Sequence, residues 1–458
     1  MLTKSDFLLF MDAPMHLWAQ KHNQYNKTLS QYDQHLIKQG YEVEKLAREY
    51  VKKYISADCE YQKIYQTDDL YSRADIVVGN DIYEVKSVTE IEKVHEYDVL
   101  FQYYTASNTL EKDVNDIYLI YLNKEYIKEG DIDLEQLFIV EKMTNFVKEN
   151  YSKVEGLIAE ALLVTNKEEK TGLMECYKPK DCPCKELCFP TLPEYSIYDV
   201  GMIGEKKVRM LRDMDILDMR NIPENFKLSP KQQTQVKATK ENQAIIDTYA
   251  VKKDIEELIF PIYFLDYETY SWAVPRYDGH RPYQNVVFQY SLHVKRTPDA
   301  ELEHYEYLST SQDDPMKSVP LELQKVIGKT GSILTWNKSF EMGRNKEMGE
   351  IYPEYEDFFI MVNSRIKDLG DIFSKQMYVD PKFKGSWSIK KVLPVICPDL
   401  TYHGMEVSNG TEAMVVWEEI TYGNKSEEEK NAMKENLLRY CELDTYAMIR
   451  IWEEIKLI

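Results

Sequence analysis

The stretch IYFLDYETY, residues 262–270, decides how the carboxyl-terminal half of the chain folds. Its apolar and aromatic residues predict a buried strand. Two further apolar stretches, VVFQYSLHV (286–294) and SILTWN (332–337), predict two more strands, with helical patterns between and after them. Strands followed by interleaved helices are typical of an α/β domain with a mixed sheet. We assign this domain to residues 256–458.

Acidic side chains recur at structured positions in this half. Asp266 and Glu268 lie two residues apart, so on a strand both side chains point to the same face of the sheet. Glu341 follows a predicted strand, and Tyr440 and Asp444 lie four residues apart, on one face of a helix. Four carboxylates from three elements could therefore converge on Mg²⁺ or Mn²⁺. An isolated D-x-E pair is usually a pair of surface residues, so the argument depends on the ordered combination.

These segments resemble, in order, the three exonuclease motifs of the ribonuclease H-like DEDD superfamily: D-x-E, N-x-x-F-D and Y-x-x-x-D. The resemblance implies a 3′–5′ exonuclease in which Tyr440 orients the attacking water. It also implies four ligands of Mg²⁺ or Mn²⁺: Asp266, Glu268, Glu341 and Asp444. Glu341 stands where most relatives have aspartate, and Asp368 is an alternative ligand or an acid that supports the ligands.

A further stretch, FKGSWSIKKVLPVICPDLTYHGMEVSNGTEAM (383–414), extends the resemblance. Together with YCELDTYAM (440–448) it is similar to a bacterial family whose carboxyl-terminal domain is described as a YprB-like predicted exonuclease. The resemblance covers nearly all of residues 258–458. Lys390 and Lys391 begin a predicted helix in this stretch and could contact substrate phosphates, although a solvated helix face explains them equally well.

The amino-terminal half contains a predicted β-hairpin. Residues 71–78 and 82–88 read as strands around a Gly-Asn-Asp turn. Asp75 lies on the first strand, and Glu84 and Lys86 lie on the second. Two carboxylates placed in this way can hold a metal, and the lysine is then free to assist the water or a phosphate oxygen. An E-x-K sequence alone predicts little, because surface strands carry it often.

Around this hairpin the pattern predicts a helix over residues 30–54, a strand over 116–122, and a helical stretch over 134–151 that continues into 154–163. With Gln102 added, the hairpin resembles the PD-(D/E)-x-K nucleases, in particular RecB-like members and the CRISPR-associated adaptation nuclease. The resemblance implies the following site: Asp75 and Glu84 as ligands of Mg²⁺ or Mn²⁺, Lys86 and Gln102 in the chemistry, and Glu44 at a helix position where relatives often carry a histidine or acid.

The seven cysteines are unevenly distributed. Four fall inside CYKPKDCPCKELC: Cys176, Cys182, Cys184 and Cys188. Such clustering in a reducing compartment predicts a metal site, either a 4Fe-4S cluster or a tetrahedral zinc. The related nucleases take one cluster ligand from an opening C-P-x-x-L-W motif, where this chain has Ala13. The resemblance therefore favours iron–sulfur, with Cys184 in place of the missing ligand. The isolated Cys59, Cys397 and Cys441 are interpreted as ordinary core or surface residues.

Composition limits the classes of function. The formal net charge of the 458 residues is −21, from 57 basic and 78 acidic residues, which argues against a protein that coats nucleic acid through bulk charge. It does not argue against an enzyme that acts on nucleic acid. The sequence shows neither a long apolar run nor a secretory signal, so we expect a cytoplasmic protein with no membrane partner.

These patterns predict three parts: a RecB-like nuclease domain with the cysteine cluster (1–190), a helical linker that is faintly similar to a helix-hairpin-helix (191–255), and a DEDD-type exonuclease domain (256–458). We expect a metal-dependent nuclease that degrades DNA, or RNA, with 3′–5′ exonuclease activity and a possible second nuclease site. Two alternatives remain open. One is a single-activity exonuclease whose first domain only binds nucleic acid, and the other is a non-catalytic nucleic-acid-binding assembly protein.

Overall fold

The computed structural model describes residues 1–26, 28–109 and 114–458 and divides into two compact units. Unit 1 comprises Met1–Thr191 and Ser271–Gln284, and unit 2 comprises Leu192–Tyr270 and Asn285–Ile458. Each unit combines helices with an open mixed sheet. Residues 192–255, which we expected to form a linker, cluster with unit 2, and residues 271–284 cluster with unit 1. Among the described residues, no helix is both long and apolar enough to cross a membrane.

Unit 1 contains, in chain order, β1 (Leu2–Thr3), α1 (Lys4–Asp12), α2 (Pro14–Lys21), α3 (Gln31–Tyr54), β2 (Glu60–Gln66), β3 (Leu70–Val78), β4 (Asp81–Lys86), α4 (Lys93–Ser107), β5 (Ile117–Leu122), α5 (Leu134–Leu137), β6 (Phe138–Lys142), α6 (Thr144–Glu149), α7 (Tyr151–Thr165) and α8 (Lys185–Cys188).

The sheet of unit 1 has the strand order β1-β3-β4-β5-β6, with β2 also paired to β3. The predicted hairpin is confirmed: β3 and β4 are antiparallel, and Gly79 takes a φ of +59°, which a tight turn requires. The predicted strand β5 and helix α3 are also confirmed, and Ser30 caps α3 by accepting a hydrogen bond from the Asp33 amide.

The prediction of a helix over residues 134–151 is wrong in its first half. Residues 138–142 form strand β6, which pairs antiparallel with β5. Pairing at the sheet edge outweighs the local helical periodicity, which survives only in the short α5 and α6.

Unit 2 contains, in chain order, α9 (Glu205–Asp213), α10 (Pro230–Glu241), β7 (Ile245–Ile246), α11 (Thr248–Glu256), β8 (Ile262–Ser271), β9 (Asn285–Lys295), β10 (Leu302–Leu308), α12 (Pro315–Val326), β11 (Ser332–Thr335), α13 (Lys338–Ile351), α14 (Glu356–Asn363), β12 (Ile366–Asp368), α15 (Asp371–Ser374), β13 (Tyr378–Val379), α16 (Ile389–Ile396), α17 (Gly410–Tyr422) and α18 (Glu427–Ile455).

The main sheet of unit 2 has the order β10-β9-β8-β11-β12, so β8 lies at its centre. The three predicted strands are confirmed as β8, β9 and β11, whereas β10 and β12 were not predicted from the sequence. Strands β8, β11 and β12 are parallel, and β9 and β10 are antiparallel. Phe264 of β8 packs edge-on against Trp452 of α18, with ring centroids 5.8 Å apart. This contact is part of the core that holds α18 against the central strand.

The segment that we compared with a helix-hairpin-helix has a different arrangement. One helix, α9, lies between two three-residue 3₁₀ turns, Ile197–Asp199 and Met219–Asn221. The second expected helix is therefore replaced by a single turn.

Candidate metal centres

The first candidate centre lies on strand β8 of unit 2. Asp266 and Glu268 project to one face, as their spacing predicts, and they meet Cys441 of α18. Ligand atoms of these three residues lie within 4.8 Å of one another. The Cys441 sulfur is 3.8 Å from Asp266 Oδ2. Our interpretation of Cys441 as an ordinary residue is therefore incomplete, because its buried thiol borders the acidic pair.

Helix α18 brings Tyr440 and Asp444 to the same place. The hydroxyl of Tyr402 donates a hydrogen bond to Asp444 Oδ1 at 2.6 Å. The Lys390 ammonium donates to the Tyr440 hydroxyl at 3.1 Å and to the Ser408 carbonyl at 2.6 Å. Lys390 therefore belongs to this centre, whereas the neighbouring Lys391 is exposed to solvent.

Glu341 enters from the first turn of α13, where only 2% of the residue is exposed. Asp368, the alternative ligand, stabilises the local backbone. Its carboxylate accepts hydrogen bonds from the backbone amides of Asn337, Lys338 and Gly370, at 2.9–3.0 Å. Asp368 thus fixes the turn that begins α13 and positions Glu341, because both of its oxygens are already bound to backbone.

The electrostatics of this centre favour a cation. Burial raises the pKa of four carboxyl groups above their usual values: Asp266, Glu268, Glu341 and Asp444. The charge of Asp266 raises the pKa of Glu268 and Glu341 further, and Asp444 acts in the same way on Asp266 and Glu268. Lys390 offsets only part of this repulsion. Divalent ions would supply the missing positive charge, and carboxylate oxygens are the ligands that Mg²⁺ and Mn²⁺ prefer.

A buried polar network holds α18 next to Asp444. The Thr445 hydroxyl lies 2.7 Å from Ser291 Oγ and 2.8 Å from His293 Nδ1, and Ser291 Oγ lies 2.9 Å from His304 Nε2. These bonds link the helix to strands β9 and β10. They fix the rotation of α18 about its axis and hence the direction in which Asp444 points.

Sequence analysis missed Tyr402, and its role at this centre can be tested. Its hydrogen bond lowers the pKa of Asp444, so Tyr402→Phe should raise that pKa and weaken divalent-metal binding about tenfold at pH 7. Isothermal titration with Mn²⁺ measures the effect. The control is Tyr446→Phe, on the helix α18 that also carries Asp444. Equal Mn²⁺ affinity in wild type and Tyr402→Phe would show that Tyr402 does not support this centre.

The second candidate centre is the hairpin of unit 1, where buried acids form ion pairs with lysines. Glu84, 1% exposed, accepts hydrogen bonds at Oε1 from Lys4 at 2.5 Å and from Lys86 at 2.8 Å. Asp98 of α4 accepts from Lys86 at 2.5 Å and pairs with Lys4 at 3.1 Å. Burial alone would raise the pKa of Glu84, but the charges of Lys4 and Lys86 lower it to about 2. The expected free lysine, Lys86, is thus already paired with two acids.

Asp75 and Glu44 lie beside this ion-pair cluster. Asp75 accepts a hydrogen bond from the Val85 amide at 2.9 Å, and burial together with the charge of Glu84 raises its pKa to about 7. Gln62 donates to both acids, to Glu44 at 2.6 Å and to Asp75 at 3.3 Å. Glu44 also pairs with Arg48 at 2.5 Å on its own helix.

Gln102 completes the hairpin centre from α4. It is fully buried, and its Oε1 accepts from the Lys4 ammonium at 3.4 Å. The structure therefore assembles the predicted hairpin residues, but it adds Lys4 and Asp98, which sequence analysis missed. The paired acids Glu84 and Asp98 already have cations as partners, in contrast to the carboxylates of unit 2.

The third candidate centre is the cysteine segment of unit 1, where the four clustered cysteines are all buried. The structure adds His16 of α2, whose Nε2 lies 3.4 Å from the Cys182 sulfur. Ligand atoms of His16, Cys182 and Cys188 lie within 4.8 Å of one another. Cys176 also hydrogen-bonds to His16 and Cys182. The available signal was the position of His16, three residues after Ala13.

Comparison with known proteins gives similarity over part of the chain. The uncharacterized protein UU173 of Ureaplasma parvum is 30% identical over 237 residues, which are 47% of this chain and 33% of that protein. The uncharacterized protein MG366 of Mycoplasma genitalium is 29% identical over 208 residues, or 42% and 31% of the two chains. Its homolog in Mycoplasma pneumoniae is 30% identical over 212 residues, again 42% and 31%.

The aligned part thus spans about a third of the length of each of these relatives. No solved structure matches the chain significantly. Residues 263–388 match the family model described as a domain of unknown function, DUF2779. The matched range includes Asp266, Glu268 and Glu341 and ends before Asp444. Three of the four acids of the unit 2 centre therefore lie in the part of the chain that matches this family model.

Proposed function

We propose that the chain is a metal-dependent phosphodiesterase that degrades nucleic acid by 3′–5′ exonuclease action at the carboxylate centre of unit 2. One observation carries the proposal: burial raises the pKa of four acids from three elements, Asp266, Glu268, Glu341 and Asp444, and the charge of Asp266 or Asp444 raises the pKa of the first three further. Among the described residues, Lys390 is the cation that lowers the pKa of Asp266, Glu268 and Asp444. Such an arrangement costs stability unless metal ions occupy it, which is why we assign it to function rather than to the fold.

Each residue then has a role that follows from its contacts. The ligands of Mg²⁺ or Mn²⁺ are Asp266, Glu268, Glu341 and Asp444. Bound divalent ions would activate water and stabilise the leaving oxygen of a phosphodiester. Tyr440, whose hydroxyl Lys390 holds at 3.1 Å, orients the attacking water. The Lys390 ammonium is also placed to attract a substrate phosphate.

The order of the motifs and the mixed sheet support a closer assignment. The D-x-E pair lies on the central strand, the next acid follows a later strand of the same sheet, and the last lies on the final helix. This agrees with a ribonuclease H-like DEDD domain of the YprB-like kind. The position of Glu341, buried in the first turn of α13 and close enough for the charge of Asp266 to raise its pKa, supports its role in place of the usual aspartate.

Unit 1 is proposed to be a RecB-like nucleic-acid-binding domain, either with or without catalysis of its own. A second nuclease site would use Asp75, Glu84 and Glu44 as metal ligands, with Lys86 and Gln102 assisting. The pairing of Glu84 with two lysines favours the alternative in which unit 1 binds nucleic acid and unit 2 alone cleaves it. In that case Lys4 and Lys86 neutralise Glu84, which would otherwise be available as a metal ligand.

The function is tested with purified chain and single strands of DNA or RNA, labelled at either the 5′ or the 3′ end. With Mn²⁺ or Mg²⁺, a 5′-labelled strand should shorten stepwise, and a 3′-labelled strand should release a labelled mononucleotide first. Chelation of the metal should stop both reactions. If no strand is shortened in either metal while the strands are still bound, the chain is a non-catalytic assembly protein.

Lys86→Ala separates the two interpretations of unit 1. It removes one of two cations from a buried acid pair, so we expect unfolding to become easier by about 3 kcal/mol. The matched control is Lys142→Ala, which breaks the exposed pair with Asp116 and should cost at most about 1 kcal/mol.

Nicking of closed circular DNA measures the activity of unit 1 in the same samples. Without a second nuclease site, neither wild type nor Lys86→Ala nicks the circle, and both retain exonuclease activity at a temperature where both are folded. If wild type nicks and folded Lys86→Ala does not, unit 1 is a second nuclease.

A further inference from the structure

The cysteine segment of unit 1 contains more potential ligands than one tetrahedral metal needs. All four cysteines are buried, and ligand atoms of His16, Cys182 and Cys188 lie within 4.8 Å of one another. We propose that this centre binds a single zinc-type ion through Cys176, Cys182, Cys188 and His16, and that Cys184 is not a ligand. This differs from the four-cysteine iron–sulfur cluster that the sequence resemblance favours, and it is independent of the proposed nuclease activity.

The distances between ligand atoms support one ion. Zinc binds a thiolate sulfur at about 2.3 Å and a histidine nitrogen at about 2.0–2.1 Å, so tetrahedral angles place such a pair about 3.5 Å apart. His16 Nε2 and the Cys182 sulfur are 3.4 Å apart, and the Cys188 sulfur lies within 4.8 Å of both. In a 4Fe-4S cube each ligand binds a different iron at a separate corner, which spreads the ligand atoms further apart than this.

The other ring nitrogen of His16 has the partner that a metal ligand usually has. His16 Nδ1 lies 2.6 Å from Asp12 Oδ2, four residues earlier. Histidines that bind metals almost always donate their second N–H to a carboxylate or carbonyl, which fixes the tautomer and the ring orientation. When Nδ1 donates to Asp12 and Nε2 is deprotonated, the Nε2 lone pair can bind a metal held by the neighbouring sulfurs.

Cys184 contributes to this centre through its backbone rather than as a ligand. It immediately precedes the short helix α8, and its carbonyl accepts from the amides of Leu187 and Cys188 at 2.9 and 2.8 Å. Its own amide hydrogen-bonds to the Cys182 sulfur. Cys176, in contrast, hydrogen-bonds to both His16 and Cys182 through its thiol. Cys184 therefore shapes the turn that presents Cys182 and Cys188.

This ligand set joins distant parts of the chain. His16 lies in α2 near the start of unit 1, and the three cysteines lie near residue 180. A metal bound by both would close a loop of about 160 residues in the unfolded chain, so binding free energy would become folding free energy. His16 thus takes the ligand position that the sequence resemblance gave to Cys184.

Metal content and stability of full-length variants test the proposal without any activity assay. Protein is purified anaerobically from cells supplied with both zinc and iron, and metal is counted per chain by plasma mass spectrometry. Wild type and Cys184→Ser should each hold one zinc and almost no iron. His16→Ala should lose most of its zinc to a chelator that leaves wild type loaded.

Two further variants keep the test decisive if His16→Ala folds poorly. Asp12→Asn removes only the partner of Nδ1 and should weaken zinc binding about tenfold in chelator competition. His16→Cys should retain one metal per chain. Four irons per chain in wild type, or loss of metal in Cys184→Ser with full retention in His16→Ala, would overturn the proposal.

Discussion

Asp266→Ala and Asp444→Ala are each expected to lower the rate of metal-dependent strand hydrolysis about a thousandfold. Each removes a ligand from a centre whose metals would supply several kcal/mol of transition-state stabilisation, and about 4 kcal/mol corresponds to a factor of a thousand. The fold should survive, because the lost carboxylate repels its neighbours rather than packing against an apolar core. Initial rates with saturating single strand and Mn²⁺ measure the effect.

Tyr440→Phe provides the graded comparison on the same helix as Asp444. It removes a hydroxyl that would orient the attacking water and leaves all four ligands in place, so we expect a loss of about tenfold. A rate for Asp444→Ala that stays within tenfold of wild type would mean that Asp444 is not a metal ligand. A larger loss in Tyr440→Phe than in Asp266→Ala would contradict the roles assigned here.

The stability of the metal-free chain should fall as pH rises above about 4, and divalent metal should reverse the trend. Burial raises the pKa of Asp266, Glu268 and Glu341 in the folded state, so the folded chain binds more protons than the unfolded chain. Their stabilising contribution is complete below their ordinary pKa and is lost as pH rises through the raised values. Bound Mn²⁺ replaces those protons, so its effect on Tm should be larger at pH 8 than at pH 5.

Glu268→Gln isolates this effect from the other titrating groups of the chain. The amide cannot ionise, so metal-free Glu268→Gln should melt above wild type at pH 8 and no higher than wild type at pH 4. In saturating Mn²⁺ the order at pH 8 should reverse, because the variant lacks a ligand. Parallel Tm-versus-pH curves for the two metal-free proteins would show that the acids of unit 2 do not repel one another in solution.

Sequence periodicity was sufficient for residues that lie on one element. The alternation of a strand placed Asp266 and Glu268 on one face, and helical spacing placed Tyr440 and Asp444 together. The hairpin of unit 1 followed from its turn residues. These relations hold within a few residues of chain, where the geometry of strand, helix and turn is fixed.

Partners from other elements could not be derived in this way. Lys4 of α1 reaches Glu84, and Asp98 of α4 reaches Lys86, because packing brings them there. Tyr402 reaches Asp444 from a loop for the same reason. His16 lies more than 150 residues from the cysteines that it faces. No periodicity relates such positions, so each required the folded chain.

The same limit explains the structural errors. Residues 138–142 carry an apolar pattern that suits a helix, but pairing with β5 makes them a strand. For Asp368 the sequence left two roles open, an alternative ligand or an acid that supports the ligands. In the folded chain its oxygens bind backbone amides at the start of α13. In both cases a contact distant in sequence decides between two locally acceptable outcomes.

The most direct test of the central claim is the time-resolved ladder of a 5′-labelled single strand in Mn²⁺. Wild type, folded Lys86→Ala and the double variant Asp266→Asn with Asp444→Asn are compared side by side. The carboxylate centre of unit 2 predicts stepwise shortening from the 3′ end by wild type and Lys86→Ala, and an intact strand with the double variant. A ladder that survives in the double variant would contradict the assignment of catalysis to this centre.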